Sequence, residues 1–81
     1  MITELGSRNK VVGVKQSRKA VTEGRARQVF LACDADPAIT DPSAEECAKA
    51  GIPVTEGYTM AQLGKACSIT VGASVVTVLA N

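Results

Sequence analysis

The chain has no histidine, no tryptophan, one tyrosine and one phenylalanine. Without histidine there is no Ser-His-Asp triad, no Cys-His nucleophile pair and no histidine metal site. So few aromatic rings argue against a platform on which nucleic-acid bases stack. The three cysteines, Cys33, Cys47 and Cys67, are odd in number, far apart and free of any C-x-x-C spacing. That argues against a disulfide framework or a local zinc site, and predicts small buried hydrophobes in a reducing cytosol. No apolar run approaches the roughly 20 residues that cross a bilayer. The opening MITELGSRNK is polar and mixed in charge, which predicts no secretory signal. The expectation is a cytoplasmic protein with no membrane partner.

What is present suits one small domain over residues 1–81, burying roughly 62% of its chain surface on folding. Hydrophobic residues are 46% and charged residues 21%, which argues against disorder. The net charge of +1 hides a split. Residues 1–27 hold seven cations (Arg8, Lys10, Lys15, Arg18, Lys19, Arg25 and Arg27) against Glu4 and Glu23. Residues 28–81 hold Lys49 and Lys65 against six acids: Asp34, Asp36, Asp41, Glu45, Glu46 and Glu56. A chain so polarised can turn one basic face to an anion while its other faces stay acidic, although a solvated mixed surface accounts for the same counts.

The pattern alternates helix and strand. Residues 3–8 predict a short helix weakened by Gly6, and Val11-Val12 a brief strand. Residues 14–23 predict a helix stopped by Gly24, with Val14, Ser17 and Val21 on one side and Lys15, Arg18, Lys19 and Thr22 on a neighbouring one. The apolar run Gln28–Cys33 predicts a strand buried on both faces, ended by a loop at Asp34-Ala35-Asp36-Pro37. Ser43-Ala44-Glu45-Glu46 has the S-x-x-E spacing of a capping box, opening a helix to about Gly51 with Ala44, Cys47 and Ala48 inward. Pro53-Val54-Thr55-Glu56 predicts a short strand near a sheet edge. Thr59-Met60-Ala61-Gln62 is a second capping box, for a helix to about Cys67 with Met60, Leu63 and Cys67 inward. A loop, Ser68–Ala73, leads into a final strand, Ser74–Leu79. Together these predict an α/β fold, a three-layer α/β/α sandwich around a small mixed sheet of about four strands.

Three groups of residues could carry function. In Gly13-Val14-Lys15-Gln16-Ser17-Arg18-Lys19 a strand ends and a helix begins at once. The free amides and positive dipole end of a first helical turn suit phosphate oxygens. Lys15, Arg18 and Lys19 add cations, and the Gln16 amide can donate to and accept from base edges. From spacing alone, a solvated cationic face accounts for the same residues. Ile69-Thr70-Val71-Gly72-Ala73 is apolar for a loop: exposed Ile69 and Val71 would mark a contact site. Taken alone, the segment favours the plainer reading, in which both side chains fold into the core. Asp34 and Asp36 follow a buried strand, where ligands bind in open α/β sheets and where paired carboxylates could hold magnesium or accept a phosphoryl group. No suitably placed lysine accompanies them, and a turn in which Asp caps backbone amides before Pro37 is the preferred reading.

The stretches VVGVKQSRKAVTEG, VFLACDADP and GIPVTEGYTMAQLGKACSITVGAS, in that order, resemble the kink-turn-binding ribosomal protein family. This is the family of the archaeal large-subunit "seven-Ae" and eukaryotic "thirty-e" proteins, and the similarity is to its small bacterial branch. It spans about residues 8–80. The resemblance implies an α/β/α sandwich and recognition of the kink-turn, an RNA duplex sharply bent at a bulge beside tandem sheared G·A pairs, in ribosomal RNA or a riboswitch. It assigns RNA contact to Gly13, Val14, Lys15, Gln16, Arg18 and Lys19, and to a second element at Ile69, Thr70, Val71, Gly72 and Ala73. Lys15-Gln16 stands where archaeal members carry Asn-Glu, and Lys19 matches a family lysine. Ser68 stands where relatives often have Gly. Asp34 and Asp36 match a structural motif. The implied protein is a non-enzymatic, monomeric RNA binder with no cofactor and no metal. The alternatives are a small domain binding metal or phosphoryl groups through Asp34 and Asp36, and a protein-interaction module with an acidic partner on its basic face.

Overall fold

The computed structural model describes residues 9–80, so the helix expected over residues 3–8 lies outside the described residues. The elements are β1 (Lys10–Val12), α1 (Val14–Thr22), β2 (Ala26–Ala32), α2 (Pro37–Ala50), β3 (Val54–Tyr58), α3 (Met60–Ala66) and β4 (Val75–Leu79). The strands form one sheet in the order β1-β4-β2-β3. β4 runs antiparallel to both β1 and β2, and β2 runs parallel to β3, so the sheet is mixed.

Alternation along the central strands builds two cores. Phe30, Ala32, Val76 and Val78 face Leu63 and Cys67 of α3. Val29, Leu31 and Val75 face the other way, toward Cys47 of α2 and the half-buried Val14 and Val21 of α1. The result is the expected sandwich, with α1 and α2 on one side and α3 on the other. β2 is buried on both faces over residues 29–32, the middle of the predicted apolar run, while Gln28 is half-buried. β3 is an edge strand, as Pro53 suggests, and its pairing with β2 slips at Glu56-Gly57, where Gly57 has φ +103°.

One helix begins well before its expected start. α2 opens at Pro37, not at Ser43. Asp36 is its N-cap, with its carboxylate accepting from the Ala38 amide at 3.0 Å, and Pro37 takes the first-turn position that needs no N–H. Pro42 then sits inside the helix on an exposed face. A proline there costs a hydrogen bond, but the surrounding turns and the burial of Cys47 hold the segment helical. Ser43 therefore caps nothing: it is buried mid-helix, and its stripe is Ser43, Ala44 and Cys47, with Ala48 exposed. The capping box at Thr59 forms as the sequence predicts. The Thr59 hydroxyl accepts from the Gln62 amide at 3.1 Å and the Gln62 side chain accepts from the Thr59 amide at 2.8 Å.

The cysteines divide. Cys47 and Cys67 are buried, and burial pushes both thiols above their ordinary pKa, aided at Cys47 by nearby Glu46 and opposed at Cys67 by Lys10. Cys33, expected inside, is exposed because β2 ends one residue earlier, at Ala32. A maleimide or disulfide reagent should label Cys33 rapidly in the native protein, and all three thiols only in denaturant; rapid native labelling of Cys47 or Cys67 would contradict this packing.

Among the described residues, the core facing α1 and α2 holds three buried hydroxyls with no hydrogen-bond partner: Ser17, Ser43 and Thr77. Each keeps the cost of a desolvated, unpaired group. Thr77→Val is close to isosteric and suits a strand, so it should raise unfolding stability by about 1 kcal/mol in urea melts.

Candidate functional site

The antiparallel ladder between β1 and β4 extends one residue past β1, with the Gly13 amide donating to the Val75 carbonyl at 2.9 Å. Gly13 has φ +109° and ψ 158°, a region essentially confined to glycine. That conformation turns the chain from strand into helix within one residue, and the Gly13 carbonyl accepts from the Ser17 amide at 3.0 Å to start α1. Among the described residues no side chain caps this N-terminus, and no acidic residue lies in its first turn. The amides of Val14, Lys15 and Gln16 meet no acceptor among the described residues, and no carboxylate among them compensates the positive end of the helix dipole.

Ser17 and Ala20 face the core with Val14 and Val21 beside them, which leaves Lys15, Gln16 and Lys19 exposed on the opposite side. Arg18 is also exposed, but its Nε donates to Glu46 Oε1 of α2 at 2.7 Å. This face therefore carries two lysines and a glutamine, without side-chain partners among the described residues, plus one arginine held by a neighbouring helix.

The loop after α3 is built by its own capping. Ser68, just past the C-cap Cys67, has φ +60°, and the Ser68 amide donates to Lys65 at 3.0 Å while the Ile69 amide reaches back to Gly64 at 3.0 Å. This is a Schellman motif with serine in the place that favours glycine, so the backbone follows the glycine-type path despite the substitution. The motif tucks Ile69, half-buried, against the core shared with Leu63. Val71 instead stands 68% exposed. The two readings of the loop each describe one of its apolar side chains: Ile69 packs inward, and Val71 faces solvent with Thr70 and Gly72.

Gly64 is what allows the loop to sit there. A Cβ at Gly64 would collide with the Val71 carbonyl oxygen, so the loop backbone lies directly on the bare face of α3. Gly72 packs against Met60 Cβ, and the buried Ala73 donates its amide to the Met60 carbonyl at 3.1 Å. A glycine at a mid-helix position was the legible signal of such an approach.

The sheet topology brings these parts together. The carboxyl ends of β1, β2 and β3 and the amino end of β4 share one end of the sheet. Ala32 donates to the Ser74 carbonyl at 2.9 Å and Gly13 to Val75, so the glycine turn and the loop flank the same two residues at the start of β4. Asp34 and Asp36 lie at this end as braces. Asp34 Oδ1 accepts from the Met60 amide at 2.8 Å, fastening the end of β2 to the first turn of α3, and Asp36 caps α2. Both carboxylates accept from backbone amides, but at helix starts beyond Pro37 and not in the expected turn before it, and they serve different helices. No group of three or more potential metal-donor residues occurs among the described residues, and none of their helices is long and apolar enough to cross a membrane.

Comparison with known proteins agrees with this architecture. Residues 4–81 match the model of the ribosomal protein L7Ae/L30e/S12e/Gadd45 family. An RNA-binding protein of Geobacillus sp. (strain WCH70) is 48% identical over 69 residues, covering 85% of this chain and 84% of that protein. The RNA-binding protein YbxF of Geobacillus stearothermophilus is 44% identical over the same length and coverage. Among solved structures, the Giardia lamblia 15.5kD RNA binding protein superposes with a TM-score of 0.87 at 26% identity, over 98% of this chain and 67% of that one. With sequence and fold in agreement, the chain belongs to the L7Ae/L30e/S12e/Gadd45 family of ribosomal proteins.

Gly64→Ala should lower stability by about 1–3 kcal/mol and speed amide exchange at Ile69 and Ala73, because the loop must lift off α3. Ser68→Gly should raise stability by about 1 kcal/mol, relieving a left-handed serine without moving the loop. Denaturant melts with amide exchange by NMR check both; a neutral Gly64→Ala would contradict the close packing.

Proposed function

We propose that this protein is a non-catalytic RNA-binding protein that recognises kink-turn RNA as a monomer, in ribosomal RNA or a riboswitch. The observation that carries the reading is the junction at one end of the sheet: an uncapped, cation-flanked helix start beside a rigidly seated loop that exposes Val71. Several relatives are named as RNA-binding proteins, and the Giardia structure bears the same description.

The physics of the two elements is complementary. Regular A-form RNA hides its base edges in a deep, narrow major groove that a helix cannot enter. A sharp bend opens that groove and brings base edges within reach of a helix start. Val14, Lys15 and Gln16 offer backbone amides to a phosphate or base oxygen, Gln16 adds a donor and an acceptor, and Lys15 and Lys19 draw in the backbone. The loop from Ile69 to Ala73 supplies what the helix lacks, an apolar surface against which unstacked nucleotides can rest. Because the chain has little aromatic surface, Val71 and loop backbone take the part that stacking rings play elsewhere. A protein that binds the bent form better than the extended one shifts the RNA toward the bend by that difference in affinity.

Gel shifts with a kink-turn duplex and a control whose G·A pairs are disrupted test the reading. The kink-turn should bind more tightly, and equal affinity for both would defeat the specific assignment. Lys19→Ala should weaken kink-turn binding by at least about tenfold, the loss of one charge-assisted contact of ~1.5 kcal/mol or more, and reduce the slope of log K against log salt by about 1. An unchanged affinity would remove Lys19 from the site.

A further inference from the structure

Arg18 stands apart from the other cations of α1. Lys15 and Lys19 are exposed and form no ion pair among the described residues, whereas Arg18 is joined to α2 through Glu46. Nε donates at 2.7 Å, and Glu46 is the acceptor that the guanidinium meets among the described residues. The partners differ in exposure: the Arg18 side chain is 57% exposed, while that of Glu46 is 27% exposed, next to buried Cys47. An exposed ion pair contributes little to folding, so stability is a weak reason for this one. Its geometric effect is larger. A guanidinium held at Nε by a half-buried glutamate sweeps a narrower cone than a free arginine does, and the outer edge of its fork can still bind a phosphate.

We propose that Glu46 is a positioning residue for RNA binding, a carboxylate on α2 that aims the Arg18 fork at an RNA phosphate beside the start of α1. This rests on the RNA reading above and extends it to a residue of the acidic half of the chain. Arg18 enters the complex already ordered, so the rotamer freedom an arginine ordinarily loses on binding is lost on folding instead. Phosphate oxygens approach the Nη groups while Nε stays on Glu46, and no proton moves.

The proposal makes a prediction opposite to that of charge alone. Removing Glu46 makes the protein more positive, and simple attraction to RNA would then rise. If Glu46 instead aims Arg18, affinity falls. Kink-turn affinity is measured by fluorescence anisotropy for the wild type, Glu46→Gln, Glu46→Met, Arg18→Ala and the Arg18→Ala/Glu46→Met double variant. Glu46→Gln keeps an oxygen acceptor for Nε, and Glu46→Met keeps the buried aliphatic stem, so both preserve packing, which thermal melts verify. Glu46→Met should weaken binding roughly three- to tenfold, from the rotamer entropy of one freed side chain. Glu46→Gln should stay within about twofold of wild type, and the Glu46→Met loss should vanish in the Arg18→Ala background. Binding by Glu46→Met as tight as wild type or tighter, or a loss that persists without Arg18, overturns the proposal. The wild-type comparison between the kink-turn and its G·A-disrupted control separates failure of the parent reading: equal binding there sinks kink-turn recognition, while the cycle still reports whether Glu46 aims Arg18 at phosphate.

Discussion

The hydrogen bond from the Gly13 amide to the Val75 carbonyl is the constraint on which the rest of the molecule turns. It prolongs the β1–β4 ladder up to the residue where the chain must leave the sheet, and so pins the start of α1 to the start of β4. Only a glycine conformation lets the chain stay paired on one side and become helical on the other. The cations of α1 inherit their position from that bond. A strand, a helix start and an incoming loop are thereby registered to one another by backbone, without any side chain needed to hold them.

A second set of backbone contacts does the same for the loop. Ser68 and Ile69 close the end of α3, Ala73 returns to Met60, and Gly64 provides the flat seat between them. Asp34 ties that helix to the end of β2. The two halves of the candidate site are anchored differently, one through the sheet and the other through a short helix. Their exposed groups differ in kind: charge and amides on α1, an isolated apolar side chain on the loop.

Much of this was legible in the residues. The buried run before Cys33, the Thr59–Gln62 capping box, the glycine stop after α1 and the edge character of β3 each follow from local chemistry that tertiary structure did not override. The split nature of the loop was half legible, because period alone cannot say that a C-cap will draw Ile69 inward and leave Val71 out. The start of α2 was misplaced for a physical reason. Two prolines and Asp41 look like a loop to local rules, whereas Pro37 suits a first turn and Pro42 meets its deficit on a solvated face. Cys33 was misjudged by a single residue of strand. Long-range partnerships such as Arg18 with Glu46, 28 positions apart, and Asp34 with Met60 had no signature in sequence, since they depend on how helices are laid over the sheet.

The slip at Glu56-Gly57 acts on matters beyond the site. The outer margin of β3 would otherwise be a straight row of unsatisfied donors and acceptors, a template for any extended chain that drifts past. Gly57 twists that row out of line, and the Glu56 carboxylate stands exposed beside it. Copies of the protein crowded together, or surrounded by unfolded polypeptide, find no continuous rung on which to zip. The slip thus breaks the continuity of the edge at the side of the sheet remote from β1 and the turn that follows it.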